Sequence, residues 1–227
     1  VDELLHKADV ALYRAKAQGR NTFSFYEAEL DERLQAEREL ARDLREALAR
    51  DGLMLHYQPL MAADGCTLLG FEALCRWPHP TRGAVPPATF IPVAEQSGQI
   101  AALGRWVLQA ACREALHWPA QVTVSVNLSP AQFAGDVVAE VRRALADSGL
   151  PPRRLVLELT ESVLMSGSEH VIGTLRALAD MGVKLALDDF GTGYSSLSYL
   201  WRFPLHKLKI DRAFTQRLPG DEKVALI

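Results

Sequence analysis

The sequence predicts an α/β protein whose strands form an incomplete TIM-like (β/α)8 barrel, preceded by a helix-strand remnant and a linker helix. Three observations predict it. After Gly52 the chain alternates six candidate strands with helical stretches, the mark of a parallel sheet with crossover helices. Five of those strands carry a polar residue at or near the carboxyl end, in the opposite parity to their apolar positions. An open sheet covered on both faces reads instead as continuous apolar runs, whereas polar side chains converging at a C-terminal mouth are what a barrel presents. Six strands leave two of the eight to be expected beyond Ile227.

Taken in order, Asp2 to Tyr26 reads as a helix with Leu5, Ala8, Leu12 and Ala15 on one face, a stop at Gly19 and a short strand through Phe23 and Phe25. One helix and one strand bury no core alone, so this segment packs on the rest or is the tail of another domain. Glu27 to Arg50 holds eight acidic and five basic residues, with Leu30, Leu34, Ala41, Leu44 and Leu48 near heptad spacing. It reads as a connecting helix rather than a dimerisation zipper, because Glu37 interrupts the apolar stripe.

The candidate strands are Leu53 to Gln58, Leu68 to Arg76, Val122 to Leu128, Leu155 to Thr160, Val183 to Asp188 and Leu205 to Asp211. Trp77-Pro78-His79-Pro80 and Pro86-Pro87 read as rigid loop, with Trp77 near the pocket mouth. Trp106 to Trp118 reads as a core helix. Ser129 with Pro130 opens a helix that stops at Gly149, and Ser166 or Ser168 opens one that ends at Gly182. Val122 to Leu128 shows the parity most clearly: its valines take one face, and Thr123, Ser125 and Asn127 the other.

Composition excludes several classes. Among 227 residues, 25 Lys+Arg against 28 Asp+Glu give a net charge of -3, with no basic blocks to track a nucleic-acid backbone. No apolar run reaches the ~18 residues of a membrane span. Val1-Asp2-Glu3 lacks the start of a secretory signal, which predicts a cytoplasmic chain, and the missing initiator Met predicts a piece of something longer. Cys66, Cys75 and Cys112 have neither disulfide-framework nor zinc spacing and read as reduced thiols. The histidines are scattered and read as packing or solvated side chains.

The polar face gathers Glu72, Asn127, Glu158, Asp188 and Asp189, with Lys209 beside them. Carboxylates plus one amide oxygen, without Cys or His, suit a hard cation such as Mg2+ or Mn2+. Adjacent Asp188 and Asp189 at a strand end can serve two ions ~3.5 to 4 Å apart, the arrangement that clamps both oxygens in phosphoryl transfer. Lys209 then holds the nucleophilic water or neutralises phosphate charge, and Arg76 grips a phosphate oxygen. Asp189-Phe190-Gly191 also spells the magnesium motif of protein kinases, but no glycine-rich loop or His-Arg-Asp loop precedes it.

Tyr57-Gln58-Pro59, Glu72-Ala73-Leu74 with Arg76, Asn127-Leu128-Ser129, Glu158-Leu159-Thr160-Glu161, Asp188 through Ser196 and Lys209-Ile210-Asp211 resemble, in order and spacing, the EAL domain. The resemblance implies a barrel whose first strand is antiparallel and a metal-dependent hydrolase that opens cyclic-di-GMP to linear pGpG. It implies that Glu72, Asn127, Glu158, Asp188 and Asp189 bind metal, that Lys209 addresses the catalytic water, and that Gln58 and Arg76 contact the ligand. Thr160, Glu161 and Asp211 match further site positions, Glu161 as support for the Asp189 to Ser196 loop, which the resemblance ties to homodimer formation. Residues 1–26, through Ala8-Asp9-Val10-Ala11-Leu12-Tyr13 and Gly19-Arg20-Asn21, look like the end of a GGDEF (diguanylate cyclase) domain without its signature loop. Residues 27–39 are then a helical linker and 40–227 the EAL domain without its last strands, which implies reduced activity for this piece. A binding module that senses cyclic-di-GMP without cleaving it, and a purely structural fragment, are the alternatives.

Overall fold

A computed structural model of the chain describes residues 28–165, 168–191, 202–211 and 213, with scattered positions before 28. The helix-strand pattern expected over 2–26, and the loop through Ser196, lie largely outside the described residues.

Helix α1 (Ala28–Ala49) runs unbroken through the charged stretch, and its second half supplies Leu40 and Leu44 to the core. Strand β1 (Met54–Met61) pairs antiparallel with β2 (Leu68–His79) through a turn in which Asp64 accepts hydrogen bonds from the Cys66 and Thr67 amides, each at 2.9 Å. Short β3 (Gly83–Val85) folds back on the end of β2. Then come α2 (Pro87–Gln96), α3 (Ile100–Ala115), β4 (Thr123–Leu128), α4 (Val137–Ser148), β5 (Leu155–Thr160), α5 (Glu161–Met165), α6 (Glu169–Asp180), β6 (Lys184–Phe190) and β7 (Lys207–Ile210). The sheet order is β1-β2-β4-β5-β6-β7, with every neighbouring pair after β1–β2 parallel. Among the described residues it is open, with β1 and β7 at its ends.

The parity argument holds in the register. Val124, Val126, Leu155, Leu157, Leu159, Leu185 and Leu187 are all buried on the helix-facing side. They meet Leu108, Ala111 and Cys112 of α3, Val141 and Ala144 of α4, and Leu175 and Leu178 of α6, whose apolar positions recur every three or four residues in one core. Burial pushes the Cys75 and Cys112 thiols up to about 12, and all three cysteines are free.

Three local expectations are corrected. Trp77 to His79 is strand rather than loop, because the three residues of β3 extend the ladder, and three residues are too few to show periodicity. Trp77 is 2% exposed and packs edge-on against Phe90, so it fills the core instead of lining the mouth. The helix expected from Pro130 to Gly149 is two: Ser129 caps a 3-10 turn over Pro130–Ala134, Gly135 is extended, and Asp136 caps α4 afresh. Where Ser166 and Ser168 were both open as caps for α6, Ser168 accepts from Val171 N at 3.2 Å. Ser168→Ala should lower unfolding stability by about 1 kcal/mol in urea titrations, since the Val171 amide loses its acceptor; an unchanged midpoint would show that the cap is dispensable.

Arg154 fastens the bottom of the sheet. It is 6% exposed, and its guanidinium donates to the carbonyls of Val122 at 2.9 Å, Ala115 at 2.6 Å and Trp118 at 3.4 Å. The end of α3 and the start of β4 are thereby joined by one side chain.

Candidate active site

Parallel register places the polar residues. Gln58 lies opposite Glu72 across β1–β2, and Glu72 is level with Ser125, Asn127 with Glu158, and Thr160 with Asp188. Level residues in neighbouring strands point to the same face, so these side chains meet above the sheet's inner side.

At the centre, Lys209 Nζ donates to Glu72 Oε2 at 3.0 Å, to Asp188 Oδ2 at 3.0 Å and to Glu158 Oε2. Asn127 Nδ2 donates to Glu72 Oε1 at 2.9 Å, which leaves its carbonyl oxygen free of that contact. Among the described residues Glu158 is the most enclosed acid, 1% exposed, and its Oε1 has no hydrogen-bond partner there. Burial, opposed by Lys209 and reinforced by Glu72, holds its carboxyl above the ordinary value. Burial pulls the Lys209 ammonium down, but its bonds to Glu158 and Asp188 and the nearby Glu72 charge carry it above its usual value.

Asp188 and Asp189 sit on a bulge. From Leu187 to Phe190 β6 advances three residues while β7 advances two, from Leu208 to Ile210. The extra residue is accommodated by Asp189 in the left-handed region, φ 53°, and its amide donates to Asp188 Oδ1 at 3.0 Å. Asp188 thus joins the central acids, while Asp189 is exposed and faces Asp211; burial and the charges of Asp188 and Asp211 raise its carboxyl.

The other expected residues lie around this centre. Arg76 is half-buried and its Nη1 donates to the Cys75 carbonyl at 2.9 Å, so it is folded back along its own strand. Thr160 and Ser162 hydroxyls are 2.8 Å apart. Glu161 is buried with neither carboxylate oxygen hydrogen-bonded among the described residues. Asp211 accepts from Ala213 N at 2.7 Å. A cavity of about 260 Å3 opens beside the acids between β2, β4 and helices α2 and α3, lined by Arg76, Glu95, Leu103, Asn127, Ser129 and Thr160. The larger one, about 540 Å3, lies between α1 and the β2–β3 hairpin and holds none of the expected site residues.

Two contributors were not foreseen. Ser125, read only as a face residue, is buried between the acids; among the described residues its hydroxyl makes no hydrogen bond of normal geometry, yet it lies close enough to Glu158 to favour the ionised form. Gln132 Oε1 accepts from Ser129 N at 3.0 Å while Ser129 donates to Glu95 at 2.6 Å, pinning the turn after Asn127. The Ser-x-x-Gln spacing of a capping box was the available signal.

The donor set fits a hard divalent cation. Single oxygens of Glu72, Glu158 and Asp188 lie within 4.8 Å of one another, and the orphaned Glu158 Oε1 is a buried acceptor awaiting a positive partner.

The family profile described as EAL domain matches residues 41–227. The chain belongs to the EAL domain family. This EAL chain is 45% identical over 230 residues to the bifunctional diguanylate cyclase/cyclic di-GMP phosphodiesterase MucR of Pseudomonas aeruginosa, with 99% of this chain and 34% of MucR aligned. It is 43% identical to the cyclic di-GMP phosphodiesterase NbdA of the same organism, over 98% of this chain and 29% of NbdA. The EAL chain therefore spans about a third of the length of these relatives. The solved structure of the PaMucR phosphodiesterase in a c-di-GMP complex superposes with a TM-score of 0.78 at 46% identity, covering 83% of this chain and 78% of that one. The α/β architecture with an antiparallel first strand is thus the EAL fold.

Proposed function

We propose that this chain is the catalytic domain of a cyclic-di-GMP phosphodiesterase, cutting one phosphodiester bond to release linear pGpG and so ending a signal of the kind that governs motility and biofilm formation. The observation that carries it is the convergence of Glu72, Glu158 and Asp188 on one point with Lys209 Nζ. The names of MucR and NbdA and the ligand in the PaMucR complex support the substrate.

Glu72, Asn127, Glu158, Asp188 and Asp189 would hold Mg2+ or Mn2+ as a pair, whose chemistry is Lewis-acid stabilisation of the attacking and leaving oxygens. Lys209 keeps its proton, because the acids around it favour the ammonium, and so orients water and offsets phosphate charge without acting as a base. Arg76 reaches the ligand by leaving the Cys75 carbonyl, a half-buried guanidinium suited to bidentate capture of a phosphate. Gln58, beside Glu72 at the end of the antiparallel pair, contacts the ligand, as do Thr160 and Asp211. Glu161, whose carboxylate oxygens have no hydrogen-bond partner among the described residues, supports the loop that follows Asp189, and that loop joins two copies into a homodimer.

Residues 1–26 are assigned to the end of a GGDEF domain, 27–39 to a linker and 40–227 to the EAL domain, in a cytoplasmic part of the parent. The bifunctional name of MucR, which aligns over nearly the whole chain, supports this division. Among the described residues no helix is long and apolar enough to cross a membrane.

Nucleotide chromatography of cyclic-di-GMP incubated with the parent protein and Mg2+ or Mn2+ tests the proposal. Linear dinucleotide from wild type and none from Glu72→Ala is expected; equal turnover by both would refute the site. Binding without cleavage by wild type would replace the enzyme with a sensor.

A further inference from the structure

The oxygens around Lys209 are not equivalent. Nζ takes Glu72 Oε2, Asp188 Oδ2 and Glu158 Oε2, one from each of three strands. Glu72 Oε1 is already bonded to Asn127 Nδ2, and Asp188 Oδ1 to the Asp189 amide. Among the described residues, Glu158 Oε1 is the one of these oxygens that is buried without a hydrogen-bond partner. A cation entering this cluster therefore finds one unshared oxygen, and its other carboxylate ligands must come from those that the ammonium holds.

We propose that Lys209 is a resident counter-ion that a divalent cation must displace from Glu72, Glu158 and Asp188 in order to bind. This rests on the reading of the cluster as a metal centre. Lysine suits the exchange: its ammonium is a compact charge with three donors on a flexible stem, so it can leave a shared position that a planar guanidinium would hold rigidly. In the metal-free protein it offsets the mutual repulsion of three converging carboxylates. Once displaced it remains on β7 beside the mouth, available to water or phosphate. The same side chain thereby sets the apparent metal affinity and serves the reaction.

Calorimetric titration with MnCl2 of wild type and Lys209→Met, with thermal unfolding in EDTA and in Mn2+, tests this. The variant should bind Mn2+ at least about tenfold tighter, equivalent to about 1.4 kcal/mol. Its melting temperature should fall in EDTA and rise further with Mn2+ than that of wild type. Wild type binding Mn2+ while the variant binds equally or more weakly would overturn the competition and leave the metal centre standing. Failure of both to bind would overturn the metal centre, and the competition with it. A variant that does not fold leaves a second measurement on wild type: hydrogen-exchange protection of the Lys209 ammonium should be lost when Mg2+ binds, and protection unchanged at saturation would refute displacement.

Discussion

Glu158→Gln should remove cyclic-di-GMP hydrolysis almost entirely while leaving the fold intact. The amide is nearly isosteric, and burial already disfavours the charge on Glu158, so the core around it loses little. The chemistry loses an anionic oxygen at the point where β2, β5 and β6 converge. Even outer partners of metal ligands give 10 to 100-fold losses, so kcat/KM should drop by at least about a hundredfold. The variant should keep its thermal transition within a few degrees. Hydrolysis at wild-type rate would remove Glu158 from the site, whereas a collapsed transition would make its role structural.

The largest stability effect should come from Arg154→Met. A guanidinium holding three carbonyls is replaced by a side chain of similar reach with no donor, and two secondary-structure ends lose their junction. Hydrogen bonds from a charged donor contribute ~1.5–3 kcal/mol each, and the buried carbonyls left behind add their desolvation, so a loss of about 3 kcal/mol or more is expected in urea titrations. Arg154→Lys should recover only part, because one ammonium cannot reproduce the fork. A change under about 0.5 kcal/mol would mean that the carbonyls find other donors.

The parity of β2, β4, β5, β6 and β7 was legible because period-two alternation is a local property, and it was enough to put Glu72, Asn127, Glu158, Asp188 and Lys209 on one face. The pairing of Gln58 with Glu72 was not, since register across the antiparallel turn depends on where Asp64 closes it. Trp77 was misplaced because a strand of three residues, Gly83–Val85, leaves no pattern, and only that ladder carries β2 past Arg76. Arg154 sits in a Pro-Pro-Arg-Arg stretch that reads as exposed turn; its partners lie 32 to 39 residues away and carry no side-chain signature.

The bulge in β6 means that the strand is one residue longer than its pairing with β7 requires. In a regular pleat, two consecutive aspartates would project to opposite sides, and one would be driven into the leucines beneath. The supernumerary residue shifts the phase of the strand at that point, so both acids stay at the rim and Phe190 re-enters the ladder in step with Ile210. Shortening β6 by one would regularise its pairing with β7 and turn one of the two acids away from the rim.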